Sequence, residues 1–240
     1  MVLLLDLSGS SKDKLKLIRQ SARRFVDATR PTDRVSVVAF TDRAQVLCPL
    51  TQDRRLLSKA IDAIDDPIGG TKFWDALHYV LAILNAAKNP LRRSAVVVMT
   101  DGVDNALPDI NGPGSQVGFD ELLEIVRAGD TIVFPIYLDT EQEQLKRGTA
   151  TRYAYALARE QLMKLADVGG SRFYRANKAK DLDDVYRQVI LDLSRIYSIG
   201  YRPSNTSKDG KWRSVSIQIQ DRQDVVARTK QGYFSKLSSN

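Results

Sequence analysis

Val2-Leu3-Leu4-Leu5-Asp6-Leu7-Ser8-Gly9-Ser10 is the stretch that decides how the rest of the chain is read. Its four opening apolar residues are too few for a helix and run straight into Ser and Gly. They fit a strand buried on both faces, as strands of parallel sheets are. Such a strand delivers Asp6 at its carboxyl end. Every second residue of an extended segment points the same way, so Asp6, Ser8 and Ser10 can converge on one point. From Asp13 the apolar positions Leu15, Ile18, Ala22, Phe25 and Val26 fall at helical spacing among Lys and Arg, until Arg30-Pro31 stops the helix.

The same strand, loop and helix pattern recurs downstream. Residues 34–40 (RVSVVAF) and 44–47 read as two strands joined by Thr41-Asp42-Arg43, and residues 53–64 as a short amphipathic helix. Residues 66–71 (DPIGGT) form a loop by their Pro and Gly, ahead of a helix with Trp74, Leu77, Leu81 and Leu84 on one face. Residues 95–99 (AVVVM) are a buried strand ending in Thr100-Asp101-Gly102. Residues 106–117, with two prolines and two glycines, predict a surface loop. Then follow a helix over 119–128, a strand over 131–138, a helix over 153–167 and a short strand over 171–174. Asp181 is placed to cap a last helix carrying Leu182, Val185, Val189, Ile190 and Leu193. This order predicts an α/β fold over residues 1–195: a doubly wound, mostly parallel, Rossmann-like central sheet flanked by helices. Over residues 196–240 the pattern changes to three strands, 196–201, 212–220 and 225–229. Within the second, Val215 to Gln220 alternates with period 2, which predicts a small antiparallel β appendage.

With 240 residues, 43% of them hydrophobic, the chain can bury one large core and carry a small appendage. Cys48 is the single cysteine, so an intramolecular disulfide and a zinc site of several thiolates are excluded. It follows a strand and reads as a buried thiol. The 36 Lys and Arg against 29 Asp and Glu leave a formal charge of +7, but the basic residues are scattered and read as a solvated surface, with no specific nucleic-acid partner. No apolar run reaches the roughly 18 residues of a membrane span, and residues 2–5 are too short for the apolar core of a signal peptide. A strand beginning at residue 2 with no lead-in is what a domain cut from a longer precursor would show.

Three loops gather the chemistry. In open α/β sheets ligands bind outside the carboxyl ends of the strands, where the strand order reverses. Asp6, Ser8 and Ser10 offer a carboxylate and two hydroxyls there, Thr71 a hydroxyl, and Asp101 a second carboxylate. All are hard oxygen donors, which suits Mg²⁺ or Mn²⁺, or Ca²⁺, and argues against zinc and copper. A D-x-S-x-S match alone would arise by chance in roughly 10% of chains of this size. Joined to a later Thr and to an Asp ending a central strand, in this order, it resembles the metal-ion-dependent adhesion site of von Willebrand factor type A domains over residues 2–194. The resemblance implies that Asp6, Ser8, Ser10, Thr71 and Asp101 surround one divalent cation, and that a protein partner completes its coordination with an Asp or Glu.

The tail adds to the likeness. Residues 197–203 (YSIGYRP), 209–213 (DGKWR) and 232–234 (GYF) are similar to the carboxyl-terminal extension of the VWFA-related proteins abundant in acidobacteria. That resemblance implies an extracytoplasmic protein, although this chain shows no signal peptide, and a fragment of a longer one. The leading expectation is therefore a non-enzymatic adhesion module. A scaffold role within a larger secreted protein is the alternative. A metal-dependent phosphohydrolase is the third reading, weakened because a haloacid dehalogenase-type site would need an acid at position 8, where Ser stands. The phosphate-loop pattern G-x-x-x-x-G-K-[ST] is missing too, and no residue is evidently placed as a general base. Asp104 and Asn105 are expected in a turn, His78 as a satisfied or surface residue, and Trp74 in the core.

Overall fold

β1 (Val2–Asp6) is followed by a 3-10 turn (Gly9–Lys14) and α1 (Leu15–Ala28). Then come β2 (Val35–Phe40), β3 (Ala44–Thr51), α2 (Arg54–Asp62), α3 (Phe73–Ala86), β4 (Ala95–Thr100), α4 (Phe119–Ala128) and β5 (Ile132–Leu138). α5 (Glu141–Arg147), α6 (Arg152–Val168), β6 (Tyr174–Ala176), α7 (Leu182–Ser194), β7 (Trp212–Ser214) and β8 (Gly232–Phe234) complete the chain. The computed structural model describes residues 1–65, 69–87, 89, 92–178, 181–220, 224–235 and 237.

Six strands form the central sheet in the order β3-β2-β1-β4-β5-β6. All neighbours are parallel except the β2–β3 pair. From β1 the chain winds first to β2 and β3 on one side, then crosses to β4 on the other, so the order reverses between β1 and β4. β1 is buried along its whole length and its alternate residues feed two cores. Leu3 and Leu5 join Ile18, Phe25, Leu57, Val185 and Val189 of α1, α2 and α7. Val2 and Leu4 join Leu77, Leu122 and Leu162 of α3, α4 and α6. Each such leucine contributes about 1.5–3 kcal/mol by leaving water, which is why an unbroken apolar run suits this position. The expected α/β class and doubly wound sheet are what the structure shows.

Four elements depart from the expectation. α5 has one apolar residue, Leu145, and no periodic face. It is held by ion pairs to the first loop, Lys14 to Glu143 at 2.5 Å and Arg147 to Asp13 at 2.6 Å. β6 begins at Tyr174 rather than residue 171, where it can pair with the end of β5. Asp181 stands ahead of α7, yet its carboxylate accepts from Lys178 N at 3.0 Å, closing the preceding turn instead of capping the helix. In the tail, among the described residues, β7 and β8 pair antiparallel and Asp209 and Leu237 form an isolated antiparallel bridge. Residues 196–201 and 225–229 form no strand, and beyond Ser214 the alternating stretch goes no further than one backbone bond, Val215 N to Gln231 O at 2.9 Å, among the described residues. Period-2 alternation selects a face, but a strand also needs a neighbour. The expected loop over 66–71 is described from Gly69 onward; residues 66–68 lie outside the described ones. Among the described residues no helix is long and apolar enough to cross a membrane.

Candidate metal centre

Strand register builds the site. Leu5 pairs with Met99, which sets Asp6 beside Thr100 and one residue from Asp101. Thr100 Oγ1 donates to Asp6 Oδ2 at 2.5 Å and Ser8 N to Asp6 Oδ1 at 2.9 Å. Asp6 is fully buried. Asp101, also buried, accepts on Oδ1 from Val103 N at 3.1 Å, and on Oδ2 from Thr140 Oγ1 at 2.6 Å and Tyr155 OH at 3.3 Å. The chain turns away at once through Gly102, whose φ of +74° strains any residue with a side chain and whose added Cβ would sit 2.8 Å from Leu162 Cδ1. Burial, and secondly the charge of Asp101, push the Asp6 carboxyl from 3.8 up to about 7.

The hydroxyl donors stand on adjoining loops. Ser8 and Ser10 place their Oγ atoms 3.2 Å apart. Their loop is fastened by Leu7 N to Phe40 O at 2.9 Å and by Gly9 N to Gly69 O at 3.4 Å, the latter a link to the Thr71 loop. Thr71 is buried and clasped by Asn105: its N donates to Asn105 Oδ1 at 3.1 Å, and Asn105 N donates back to Thr71 O at 2.9 Å. Gly70 N donates to Asp42 Oδ1 at 3.0 Å. A Cβ on Gly70 would lie 2.5 Å from Asn105 Nδ2 and 2.7 Å from Asp42 Oδ1, so the close approach of the loops depends on glycine. Among the described residues the Thr71 hydroxyl makes no hydrogen bond.

The structure thus places Asp6, Ser8, Ser10, Thr71 and Asp101 on three adjoining loops at the carboxyl edge, where the strand order reverses. Asp6, Ser8 and Ser10 are linked directly. Asp101 reaches Asp6 through its charge and the adjacent Thr100, and Thr71 joins through Asn105. Among the described residues no Lys, Arg or His pairs with Asp6 or Asp101, and no three His, Cys, Asp or Glu side chains cluster. Two neighbouring buried carboxylates without a cationic partner, beside hydroxyls with spare lone pairs, are a donor set that fits a hard divalent ion.

Neighbouring residues sort themselves by their partners. Asp104, fully buried, accepts from Ala106 N at 2.8 Å, Ser115 N at 3.0 Å, Ser115 Oγ at 2.6 Å and Trp74 N at 3.1 Å. It folds the 106–117 loop and satisfies the start of α3, which is the turn role read from the sequence. Trp74 packs in the core, its ring 5.9 Å from that of Phe119. Cys48 is a buried free thiol, and His78 is half-buried on α3. Sequence reasoning missed Thr100, Thr140 and Tyr155. Thr140 follows the carboxyl end of β5 as Asp6 ends β1 and Asp101 follows β4, so the same signal was available for it. Tyr155 lies on a helix face and gave none.

Comparison with known proteins agrees with this fold. Residues 1–103 match the family described as the von Willebrand factor type A domain. Human Calcium-activated chloride channel regulator 4 is 29% identical over 55% of this chain. This chain spans 15% of that protein's length, and 58% of a Borreliella burgdorferi relative that it matches over 81% of its own residues. Among solved structures, the vWF domain of the type V pili tip protein Mfa5 from Porphyromonas gingivalis superposes with a TM-score of 0.62 at 14% identity, over 85% of this chain and 97% of that one. The pilus adhesin SpaC from Lactobacillus rhamnosus GG gives 0.60 at 14%, over 80% of this chain and 29% of that one. Residues 1–103 thus match the von Willebrand factor type A family, and the fold is that of the solved von Willebrand factor type A domains.

Proposed function

We propose that this chain is a protein-binding module in which Asp6, Ser8, Ser10, Thr71 and Asp101 hold one divalent cation, Mg²⁺ or Mn²⁺ with Ca²⁺ as the larger alternative, and that it works outside the cytoplasm. The observation that carries the reading is the buried Asp6 and Asp101 pair, side by side with no cationic side chain to balance it among the described residues. A bound ion supplies the positive charge that an Asp or Glu of a protein partner would meet. The chain's own part is to hold the oxygens in place: Thr100 and Ser8 N fix Asp6, Asn105 fixes the Thr71 loop, and Gly9 and Gly69 join the two loops. The fold likeness to a pili tip protein and to a pilus adhesin supports both the binding role and the location.

The test is titration of the full chain with Mn²⁺, followed by capture of a short Glu-bearing peptide with the ion present or chelated by EDTA. Wild type is expected to take up one ion and to hold the peptide only with it. Asp101→Ala is expected to lose both. No ion uptake by wild type, or undiminished uptake by Asp101→Ala, overturns the reading.

A further inference from the structure

Asp101 is held by a chain of hydroxyls that does not belong to the five oxygen donors. Thr140 Oγ1 donates to Asp101 Oδ2 at 2.6 Å, and Tyr155 OH stands 2.7 Å from Thr140 Oγ1. Each hydroxyl has one proton. With that of Thr140 committed to the carboxylate, Tyr155 donates to Thr140 Oγ1, and its own 3.3 Å approach to Asp101 is the weaker contact. All three groups are buried, where a donor aligned on an anion is worth more than in water. We propose that Thr140, backed by Tyr155, is the positioning residue of the cation site: it fixes the Asp101 carboxylate in one orientation.

The placement of Thr140 gives this bond a second consequence. It is the residue just before α5, and α5 is tied to the loop that follows Ser10 through Lys14–Glu143 and Arg147–Asp13. Arg159 of α6 adds an ion pair to Glu141 at 2.7 Å, beside Tyr137 of β5. One short helix therefore bridges the Asp101 wall and the Ser8–Ser10 wall of the site. Outer partners that orient a ligating group typically govern metal affinity by about 10- to 100-fold.

This inference rests on the cation reading, and the experiment separates the two. Mn²⁺ binding to the full chain is followed through the free-ion paramagnetic resonance signal in wild type, Thr140→Val, Thr140→Ser and Tyr155→Phe, with thermal melts of each in EDTA. Thr140→Val keeps the side chain's shape and is expected to weaken binding about 10-fold or more. Thr140→Ser is expected to restore it to within a few-fold, and Tyr155→Phe to give an intermediate loss. A merely structural role would lower the melting temperature in EDTA without rescue of ion affinity by Ser. Unchanged or tighter binding in both Thr140→Val and Tyr155→Phe overturns the positioning role and leaves the site standing. Absence of binding in wild type removes the site itself.

Discussion

At the amino edge of the sheet, Arg30 donates to Ser194 O at 3.1 Å, Arg34 to Leu50 O at 3.1 Å, and Arg93 to Ile196 O and, at 2.9 Å, to Ser198 Oγ. At the carboxyl edge, among the described residues, Asp6 and Asp101 receive only neutral N–H and O–H donors. Both edges concentrate charge, but they dispose of it differently. The arginines line a cavity of about 550 Å³ and spend their donors on carbonyls, including the last residue of α7, where the helix dipole favours a cation. Among the described residues the carboxylates have dipoles for company and no counter-charge. Positive charge at one edge is thus absorbed by the backbone it stabilises, while negative charge at the other meets only the dipoles of its described neighbours.

The largest expected effect breaks or sharpens that contrast through pH. The Asp6 carboxyl is raised from 3.8 to about 7 in the folded protein, so between those values the native state keeps a proton that the unfolded chain has lost. The corresponding stability is fully present below about pH 4 and is lost as pH rises through about 7. Raising the metal-free protein from about pH 5 to pH 8 should therefore lower its melting temperature by several degrees. Asp6→Asn should flatten the slope, and saturating Mg²⁺ should lift the pH 8 value toward the pH 5 value, because the cation replaces the proton. A metal-free melting temperature that does not fall over this range would put the two edges on an equal footing.

Much of this contrast was legible from residues alone. Val2 to Leu5 marked the central strand because burial on both faces leaves no room for polar alternation. Asp6 and Asp101 were visible because each closes an apolar run. The pairing of Leu5 with Met99 that brings them together was not, since register is a tertiary fact carried by no single strand. α5 escaped for a related reason: its sequence EQEQLKR has no apolar stripe, and its place comes from Lys14 and Asp13, over a hundred residues earlier. The tail erred in the opposite direction. Val215 to Gln220 has the pattern of a strand, yet pattern without a partner leaves, among the described residues, the short β7–β8 pair and one bridge, Asp209 to Leu237.

A smaller effect is expected at the amino edge. Arg93→Ala removes its bonds to Ile196 O and Ser198 Oγ, all at an exposed position, and should cost about 1 kcal/mol. A melting temperature lowered by about 2–4 °C with Mn²⁺ affinity unchanged would mark that edge as structural. Loss of ion affinity would show the two edges to be coupled through the sheet.

The smallest effect concerns the tail, which meets the domain at the end of α4. Lys230 Nζ donates to Val126 O at 2.6 Å and to Gly129 O, and Gln231 Nε2 to Asp167 Oδ2 at 2.6 Å. Here again a cation closes a helix carboxyl end, as Arg30 does for α7, so the amino-edge logic extends to the appendage. Burial works against it, lowering the Lys230 ammonium to about 8. Lys230→Ala should cost no more than about 1 kcal/mol and show itself locally, as faster amide hydrogen exchange over residues 229–235. Lys230→Met keeps most of the stem and drops the charge. If it restores protection, the tail is held by the packed methylenes. If it behaves as the alanine does, the ammonium on the α4 carbonyls is the anchor, which is the outcome the geometry favours.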